Sequence, residues 1–460
     1  MKTFSFKRVV SGLKSSPARI LLFSFMAMIV LGALLLMLPA MATQEALSFT
    51  DALFTATSAG CVTGLSVFEV SSTLSALGQG LLLMLIQLGG LGIMTLSTLF
   101  ILGARGRAGF AETLIIQDTF THSGRRRPGE ILRDVLYVTV FVEGVGAALL
   151  FGRFLLLKMP AGKALWLAVF HSISAFCNAG FSLFSGSLTP FRGDLLVNAV
   201  VSTLIIFGGL GFLVIVEMKG ESPFKKRRWH RMSLHSRLVL ATTLFLLLAG
   251  FGATLALEWG NTLSKMPLWE KCLAAFFQSV TLRTAGFNTL DIGGLANGTL
   301  FLSMVFMFIG ASPGSCGGGI KTTTIATLFL MARSRLKGER HVSAFSRTLP
   351  ARSVEKATNL TMMAFTLVAL ATLILLSSEL GDLAHTQSRG RFIELLFESV
   401  SAFGTVGLSM GVTPTLTPLG KWVIISLMFV GRLGPMAIAV AVSRETTSRH
   451  RWAEEEIMIG

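Results

Sequence analysis

The stretch FHSISAFCNAGF (residues 170–181) carries a phenylalanine, a serine-rich turn of helix, and a short segment that reaches a single glycine, Gly180. The same order recurs in FTATSAGCVTGL (54–65), FQSVTLRTAGFN (277–288) and FESVSAFGTVGL (397–408), which reach Gly64, Gly286 and Gly407. The third copy is one residue shorter between its Phe and its Gly. About 24 to 28 residues after each glycine comes a second group, within IQLGGLGI (86–93), IIFGGLGF (205–212), FIGASPG (308–314) and FVGRLGP (429–435). Two matched features at nearly constant separation, four times over, define an internal repeat and override local readings. The unit is an outer helix, a half-helix, an extended segment and an inner helix.

Composition sets the solvent. The 460 residues are 52% hydrophobic and only 14% charged, against roughly 25% charged in a soluble domain, and the mean hydropathy is +0.69. Apolar stretches long enough to cross a bilayer run over 20–38, 77–102, 135–151, 195–216, 238–257, 300–309 and on to 331, 361–376, and 422–442, giving eight candidate spans. The half-helices between them are too short to cross and read as re-entrant. Because each unit crosses twice, all four copies share one orientation, unlike the inverted repeats of many secondary transporters.

The net charge of +16 would suggest nucleic-acid binding in a soluble domain. Its distribution argues against that. About 28 of the 40 Lys and Arg fall in the N-terminus, the 103–133, 218–237 and 332–356 connections and the C-terminus, the pattern of cytoplasmic loops. The connection 40–76 has no Lys or Arg. Both termini are therefore expected inside, with KKRRWHR (225–231) a topology signal that could also meet anionic lipid or a cytoplasmic partner. Lys2, Lys7, Arg8, Lys14 and Arg19 ahead of an apolar run and Ala40-Met41-Ala42 imitate a cleavable signal, but the run is longer than signal h-regions of about 7 to 15 residues. Cys61, Cys177, Cys272 and Cys316 form no C-x-x-C pair, so neither a disulfide nor a metal cluster is implied.

Extended backbone at membrane depth is tolerated only where protein or a water-filled cavity satisfies its polar groups. Four such segments in parallel orientation can converge on one axis, where their carbonyl oxygens replace the hydration shell of a cation. Each half-helix would turn its partially negative C-terminal end to the same place. Ser48 with Asp51 suits a capping box at the far end of the first half-helix, and Pro267 with Glu270 the start of the third. For Gly89, Gly92, Gly208 and Gly211 in the inner helices, close helix packing is the better reading. For Gly64, Gly180, Gly286 and Gly407 it explains little.

GASPGSCGGGIKTTT (310–324) has Gly314 and Gly319 at the spacing of a phosphate-binding loop, but Ile320 separates the second glycine from Lys321. A nucleotide here would place phosphates inside the membrane. Gly310, Gly314, Gly317, Gly318, Gly319 and Pro313 cannot sustain a helix, so the third inner helix is expected to break at mid-depth into a mobile plug. Arg432 lies within the last span, where a charge marks function; the plainer alternative is a bridge to Glu143 or Glu398. Lys321 either reaches the interface or holds the loop, and His171 reads as a hydrogen-bonded scaffold residue.

The segments CVTGL, CNAGF, RTAGF and GTVGL, together with GASPGSCGGGIKTTT, GRLGPM (431–436) and the terminal EEEIMIG (454–460), resemble the Ktr/Trk/HKT superfamily of potassium transporters, most closely its KtrB branch. The resemblance spans essentially the whole chain. It implies an all-α polytopic membrane protein with four parallel helix–pore-loop–helix repeats in pseudo-fourfold arrangement around one ion pore. The divisions expected are a cytoplasmic N-terminus (1–19), repeats over 20–103, 104–217, 218–335 and 336–443, and a cytoplasmic C-terminal tail (444–460). The selectivity filter would comprise Cys61, Val62, Thr63, Gly64; Cys177, Asn178, Ala179, Gly180; Arg283, Thr284, Ala285, Gly286; and Gly404, Thr405, Val406, Gly407, with K+ at the ring of the four glycines. Residues 310–321 would gate it, through Gly310, Ala311, Ser312, Pro313, Gly314, Ser315, Gly317, Gly318, Gly319 and Lys321, with Arg432 below the filter contacting them. No segment ends in GYG and the single tyrosine, Tyr137, lies elsewhere, so selectivity should be real but less complete than in a potassium channel. The implied function is potassium-selective, channel-like uptake by a non-enzyme; the alternative is a K+ secondary transporter coupled to Na+ or H+, a symport. The resemblance further implies a plasma (inner) membrane homodimer and a cytosolic nucleotide-binding KtrA/TrkA-type ring. No cofactor is expected on this chain, K+ being the transported ion with Na+ a second candidate, and no nucleic acid.

Overall fold

The computed structural model describes residues 17–103, 128–220, 229 and 232–435. The basic clusters before residue 17 and at 225–228, with most of the C-terminal tail including EEEIMIG, lie outside them.

In chain order a long helix, a short buried helix, an extended stretch and another helix follow one another four times. The first set is α1 (Pro17–Leu36), α2 (Phe49–Gly60) and α3 (Ala76–Gly103). The second is α4 (Pro128–Leu156), α5 (Ala161–Phe176) and an inner helix split into α6 (Leu195–Leu210) and α7 (Phe212–Gly220). The third is α8 (Leu234–Glu258), α9 (Leu268–Thr281) and an inner helix split into α10 (Asn297–Phe308) and α11 (Thr322–Leu336). A two-residue hairpin of β1 (Ser343–Ala344) and β2 (Arg347–Thr348) then leads to α12 (Ala351–Leu380), α13 (Arg391–Gly404) and α14 (Pro418–Leu433).

The described parts of the eight apolar stretches lie mostly on helices, the run 309–321 being the main interruption. Among the described residues three of them, within α4, α8 and α12, are single helices long and apolar enough to cross a bilayer, and the pair α6–α7, bent by 102°, makes a fourth. The third inner helix stops at Phe308 because the glycine-rich run that follows cannot continue it. Phe245, Val140 and Phe365 on the outer helices are 67%, 68% and 71% exposed, as befits helices whose outward solvent is apolar.

Side-chain caps fix the start of one short helix and of two inner helices. Ser48 Oγ accepts from the Asp51 amide at 3.2 Å and donates to its carboxylate at 2.9 Å. Asp194 takes the amides of Leu196 and Val197 at the head of α6, and Thr417 that of Gly420 in α14. The recurring phenylalanine of each short helix, Phe54, Phe170, Phe277 and Phe397, is fully buried. In lipid the burial of such rings gains packing rather than release from water.

Neighbour relations close a circle. The inner helix α3 packs on the short helix α5 of the next set, α6 on α9, α10 on α13, and α14 returns to α2 of the first. Within each set small residues let the inner helix approach its own short helix: a methyl group on Gly89, Gly208 or Gly431 would strike the carbonyl of Gly60, Phe176 or Phe403, at the ends of α2, α5 and α13. Packing therefore accounts for Gly89 and Gly208. It does not account for Gly211, whose φ of +88° makes the bend between α6 and α7.

Candidate functional site: four extended segments and the loop beneath them

Each short helix unwinds in the same way. A hydroxyl in its last turns, on Ser58, Ser174, Thr281 or Ser401, ties the departing chain back to the helix. Ser58 Oγ and Ser401 Oγ accept from the amides of Gly64 and Gly407, both at 3.1 Å. Ser174 Oγ and Thr281 Oγ1 donate to the carbonyls of Phe181 and Phe287 at 2.8 and 2.5 Å. These bonds satisfy part of the extended backbone inside the protein, as its depth requires. The missing residue of the third copy falls in this unwinding turn. Thr63, Ala179 and Val406 amides reach back five residues to Ser58, Ser174 and Ser401, whereas the Ala285 amide reaches four, to Thr281.

Beyond the turn, the sign of φ alternates. Val62, Asn178, Thr284 and Thr405 stand at +56°, +58°, +62° and +49°, and the glycine two residues on, Gly64, Gly180, Gly286 or Gly407, at +96°, +69°, +78° or +91°. Non-glycine residues rarely adopt such values, least of all β-branched ones. Alternating left- and right-handed residues rotates successive peptide planes so that their carbonyls project to one side of the strand.

The four glycines meet one another in a closed cycle. A methyl group on Gly64 would come 2.5 Å from the Ala179 carbonyl, on Gly180 2.8 Å from that of Ala285, and on Gly286 2.5 Å from that of Val406. On Gly407 it would strike the Thr63 carbonyl, completing the circuit. No side chain fits between the segments. The first residue of each expected quartet behaves differently: the Cys177 thiol turns away to α3, 3.5 Å from Gln87 Oε1 and 3.9 Å from Glu143 Oε1. Arg283 is buried, and its Nη1 finds no hydrogen-bond partner among the described residues.

The residue after each recurring phenylalanine is polar and buried: Thr55, His171, Gln278 and Glu398. His171 Nδ1 lies 2.7 Å from the Leu167 carbonyl, which only accepts, so Nδ1 carries the proton and Nε2 takes Ser182 Oγ at 2.9 Å. Glu398 accepts from Thr413. Both clamp the chain just past the glycine, in the second and fourth sets; Thr55 Oγ1 and both Gln278 amide atoms make no such bond.

Residues 310–321 lie against the unwound ends. Ile309 and Ile320 pair as a bridge at the neck, with the Gly310 amide donating to the Ile320 carbonyl at 2.8 Å. The Ser312 and Cys316 amides donate to the Gly209 and Gly208 carbonyls at 3.1 Å each, and the Phe212 amide returns to the Gly314 carbonyl at 2.9 Å. The Gly318 amide donates to Thr405 Oγ1 at 2.9 Å, and the Gly319 amide to the Gly431 carbonyl at 3.2 Å. A methyl group on Gly317 would strike Thr284 Oγ1. Lys321 Nζ donates to the Gly317 carbonyl at 2.7 Å and so ties the loop to itself.

Arg432, 4% exposed at the end of α14, donates through Nη1 to the Cys316 carbonyl and through Nη2 to the Gly89 carbonyl at 2.6 Å. It therefore joins the loop to the first inner helix and pairs with neither Glu143, which takes Gln87 at 3.2 Å, nor Glu398.

Among the residues that sequence reasoning missed are the four tying hydroxyls, the Glu398–Thr413 clamp, and the Gln87–Glu143 pair. A signal for the hydroxyls existed, since Ser or Thr recurs at one offset in all four copies. Gln87 and Glu143 have no repeat partners of like chemistry and come together only through the packing of α3 on α4.

A single chain that wraps four unwound short helices around one ring of glycines, with a charged residue and an irregular loop just below, has the architecture of a membrane cation transport protein. The TrkH family, described as cation transport protein, matches residues 15–453, and the chain belongs to it. It is 35% identical to Ktr system potassium uptake protein B of Bacillus subtilis (strain 168), over 98% of this chain and 99% of that protein. It is 36% identical to potassium/sodium uptake protein NtpJ of Enterococcus hirae, over 97% of each. The crystal structure of the potassium transporter TrkH from Vibrio parahaemolyticus shares the fold, with a TM-score of 0.72 at 20% identity over 92% of this chain and 84% of that one. These relatives are transporters and not enzymes.

Proposed function

We propose that this chain is the potassium-translocating subunit of an uptake system, conducting K+ down its electrochemical gradient through the ring formed at Gly64, Gly180, Gly286 and Gly407. The observation that carries the reading is the closed cycle of positive-φ glycines, each lodged against a carbonyl of the next segment. Carbonyls held this way can replace the water of a dehydrated cation, and the names of the relatives, potassium uptake protein B and potassium/sodium uptake protein, supply the ion. Residues 310–321 act as the gate: their amides and carbonyls engage Thr405, α6 and α14, and Arg432 and Lys321 secure them. The subunit works as a homodimer in the plasma membrane with both termini in the cytoplasm, beside a nucleotide-binding ring, consistent with relatives named as parts of a Ktr system.

Coupling to Na+ or H+ is the second reading. It is favoured by Glu143, a carboxylate 8% exposed on a spanning helix that accepts from Gln87 and the Cys177 thiol. Measurement of K+ uptake under imposed Na+ or H+ gradients separates the two.

Growth of an uptake-deficient host on limiting potassium, with this chain expressed alone or with a ring subunit, tests the assignment. Gly286→Ser tests its mechanism: the added Cβ meets the Val406 carbonyl at 2.5 Å, so Rb+ uptake should fall relative to Na+ uptake. An unchanged ratio removes the glycine ring from the account.

A further inference from the structure

A cavity of about 650 Å³ lies away from the ring, between α8, α11 and the β1–β2 hairpin, within the roughly 300–1,000 Å³ of small-molecule sites. Its walls are apolar, with Leu238 and Phe245 on α8 facing Ile325 and Phe329 on α11, and it reaches inward to Ile309. Ile309 is half of the bridge that closes the neck of the 310–321 loop. Phe245 and Phe329, 67% and 68% exposed, leave one flank open sideways, towards the bilayer. At the opposite end of the groove from Ile309 stand Arg333 and Lys337, one helical turn apart on and just past α11. Among the described residues neither makes an ion pair. Glu339 shares that rim, so an anion must be met from the α11 side.

We infer that this groove is a binding site for one anionic phospholipid, its acyl chain lying between α8 and α11 as far as Ile309 and its phosphate held by Arg333 and Lys337. An apolar trough open to the membrane takes an acyl chain, and two unpaired cations at its polar end select an anionic headgroup over a zwitterionic one. A free phosphate would use the rim and leave the trough empty. Resting on the reading of 310–321 as a gate, the bound chain braces Ile309 and Ile325 on either side of the loop and so holds the loop in place. Emptying the groove lets it move.

Purified full-length protein is titrated in detergent with phosphatidylglycerol, phosphatidylcholine or inorganic phosphate while its melting temperature is followed. Phosphatidylglycerol alone should raise it. The variant Arg333→Gln/Lys337→Gln, altered only at exposed side chains, should need roughly thirtyfold more phosphatidylglycerol for half the shift, two contacts of the kind each basic residue makes with an anionic surface being lost. Ala326→Trp, which fills the groove from α11, should abolish the shift. An equal response of wild type and double variant overturns the site, as does an equal response to phosphate. A change of oligomeric mass in Ala326→Trp overturns it in favour of a second copy of this chain as the occupant. Rb+ flux into liposomes should be greater in phosphatidylcholine than with phosphatidylglycerol added, and equal in the double variant. If the melting shift persists while flux ignores lipid, the link to the loop fails and the site stands; if no liposome conducts Rb+, it is the transport reading that fails.

Discussion

Gly180 and Gly186 have the same φ, +69°, and differ only in what surrounds them. A methyl group on Gly186 would meet the Thr189 hydroxyl at 3.0 Å, the end of a side chain that can turn aside, whereas on Gly180 it would meet the Ala285 carbonyl at 2.8 Å and the Gly286 Cα at 2.9 Å. Replacing either by alanine incurs left-handed strain of about 1–2 kcal/mol. Only Gly180→Ala should also lower the ratio of Rb+ to Na+ uptake, because only there must main chain move. Equal ratios in the two variants would show that strain, and not spacing, is what the ring senses. Glu398 offers a second contrast. Glu398→Ala removes the carboxylate that takes the buried Thr413 hydroxyl and leaves it only Ser409 Oγ at 3.1 Å, which should cost about 1 kcal/mol in unfolding free energy, while Glu398→Gln retains an acceptor oxygen and should recover most of it. A melting series on the purified protein reads the difference.

Among the elements, the four short helices were the most legible in the sequence, because their phenylalanine and hydroxyl recur at one offset and their glycine at the same offset in all but the third copy, and all three prove to have structural jobs. The break in the third inner helix was equally plain, since a run of Gly with Pro313 cannot be helical. The bend of the second was not. IIFGGLGF reads like IQLGGLGI, yet only the former turns by 102°; what decides is the carbonyl of Pro313, which lies where a Cβ on Gly211 would reach within 2.5 Å. That is a contact between sets, invisible to any local pattern. The direction of Arg432 followed only from the resemblance, which turns it to the loop; the residues by themselves left a bridge to Glu143 or Glu398 as the alternative. Its role in the structure suggests a test at this scale. Arg432 holds the Cys316 and Gly89 carbonyls with two separate nitrogens of one planar group, and a lysine, with a single point of charge, cannot reproduce that fork. Arg432→Lys should loosen the loop and raise Rb+ flux in liposomes; flux at or below the wild-type level would mean that the loop does not obstruct the path.

At the level of the whole molecule, the circle is closed between the first and fourth sets by α14 packing on α2 and by an ion pair, Lys421 Nζ to Asp51 Oδ1 at 2.7 Å. A matching pair, Arg192 with Glu270 at 2.6 Å, joins the second set to the third. Such bridges near a polar boundary are worth about 0–1 kcal/mol. Packing within the fourth set at Gly431, where any side chain strikes the Phe403 carbonyl, should matter far more. Lys421→Met is therefore expected to shift the melting temperature little, and Gly431→Leu to prevent recovery of folded protein from membranes; the reverse order would mean that charge between sets outweighs close packing within one. The loop engages this ring unevenly, touching Thr284 and Thr405 of the third and fourth segments. In an assembly of four identical chains every substitution is copied into all quadrants at once. A quartet written into one polypeptide escapes that rule: each quarter can be altered by itself, and contacts such as these can differ from one quarter to the next.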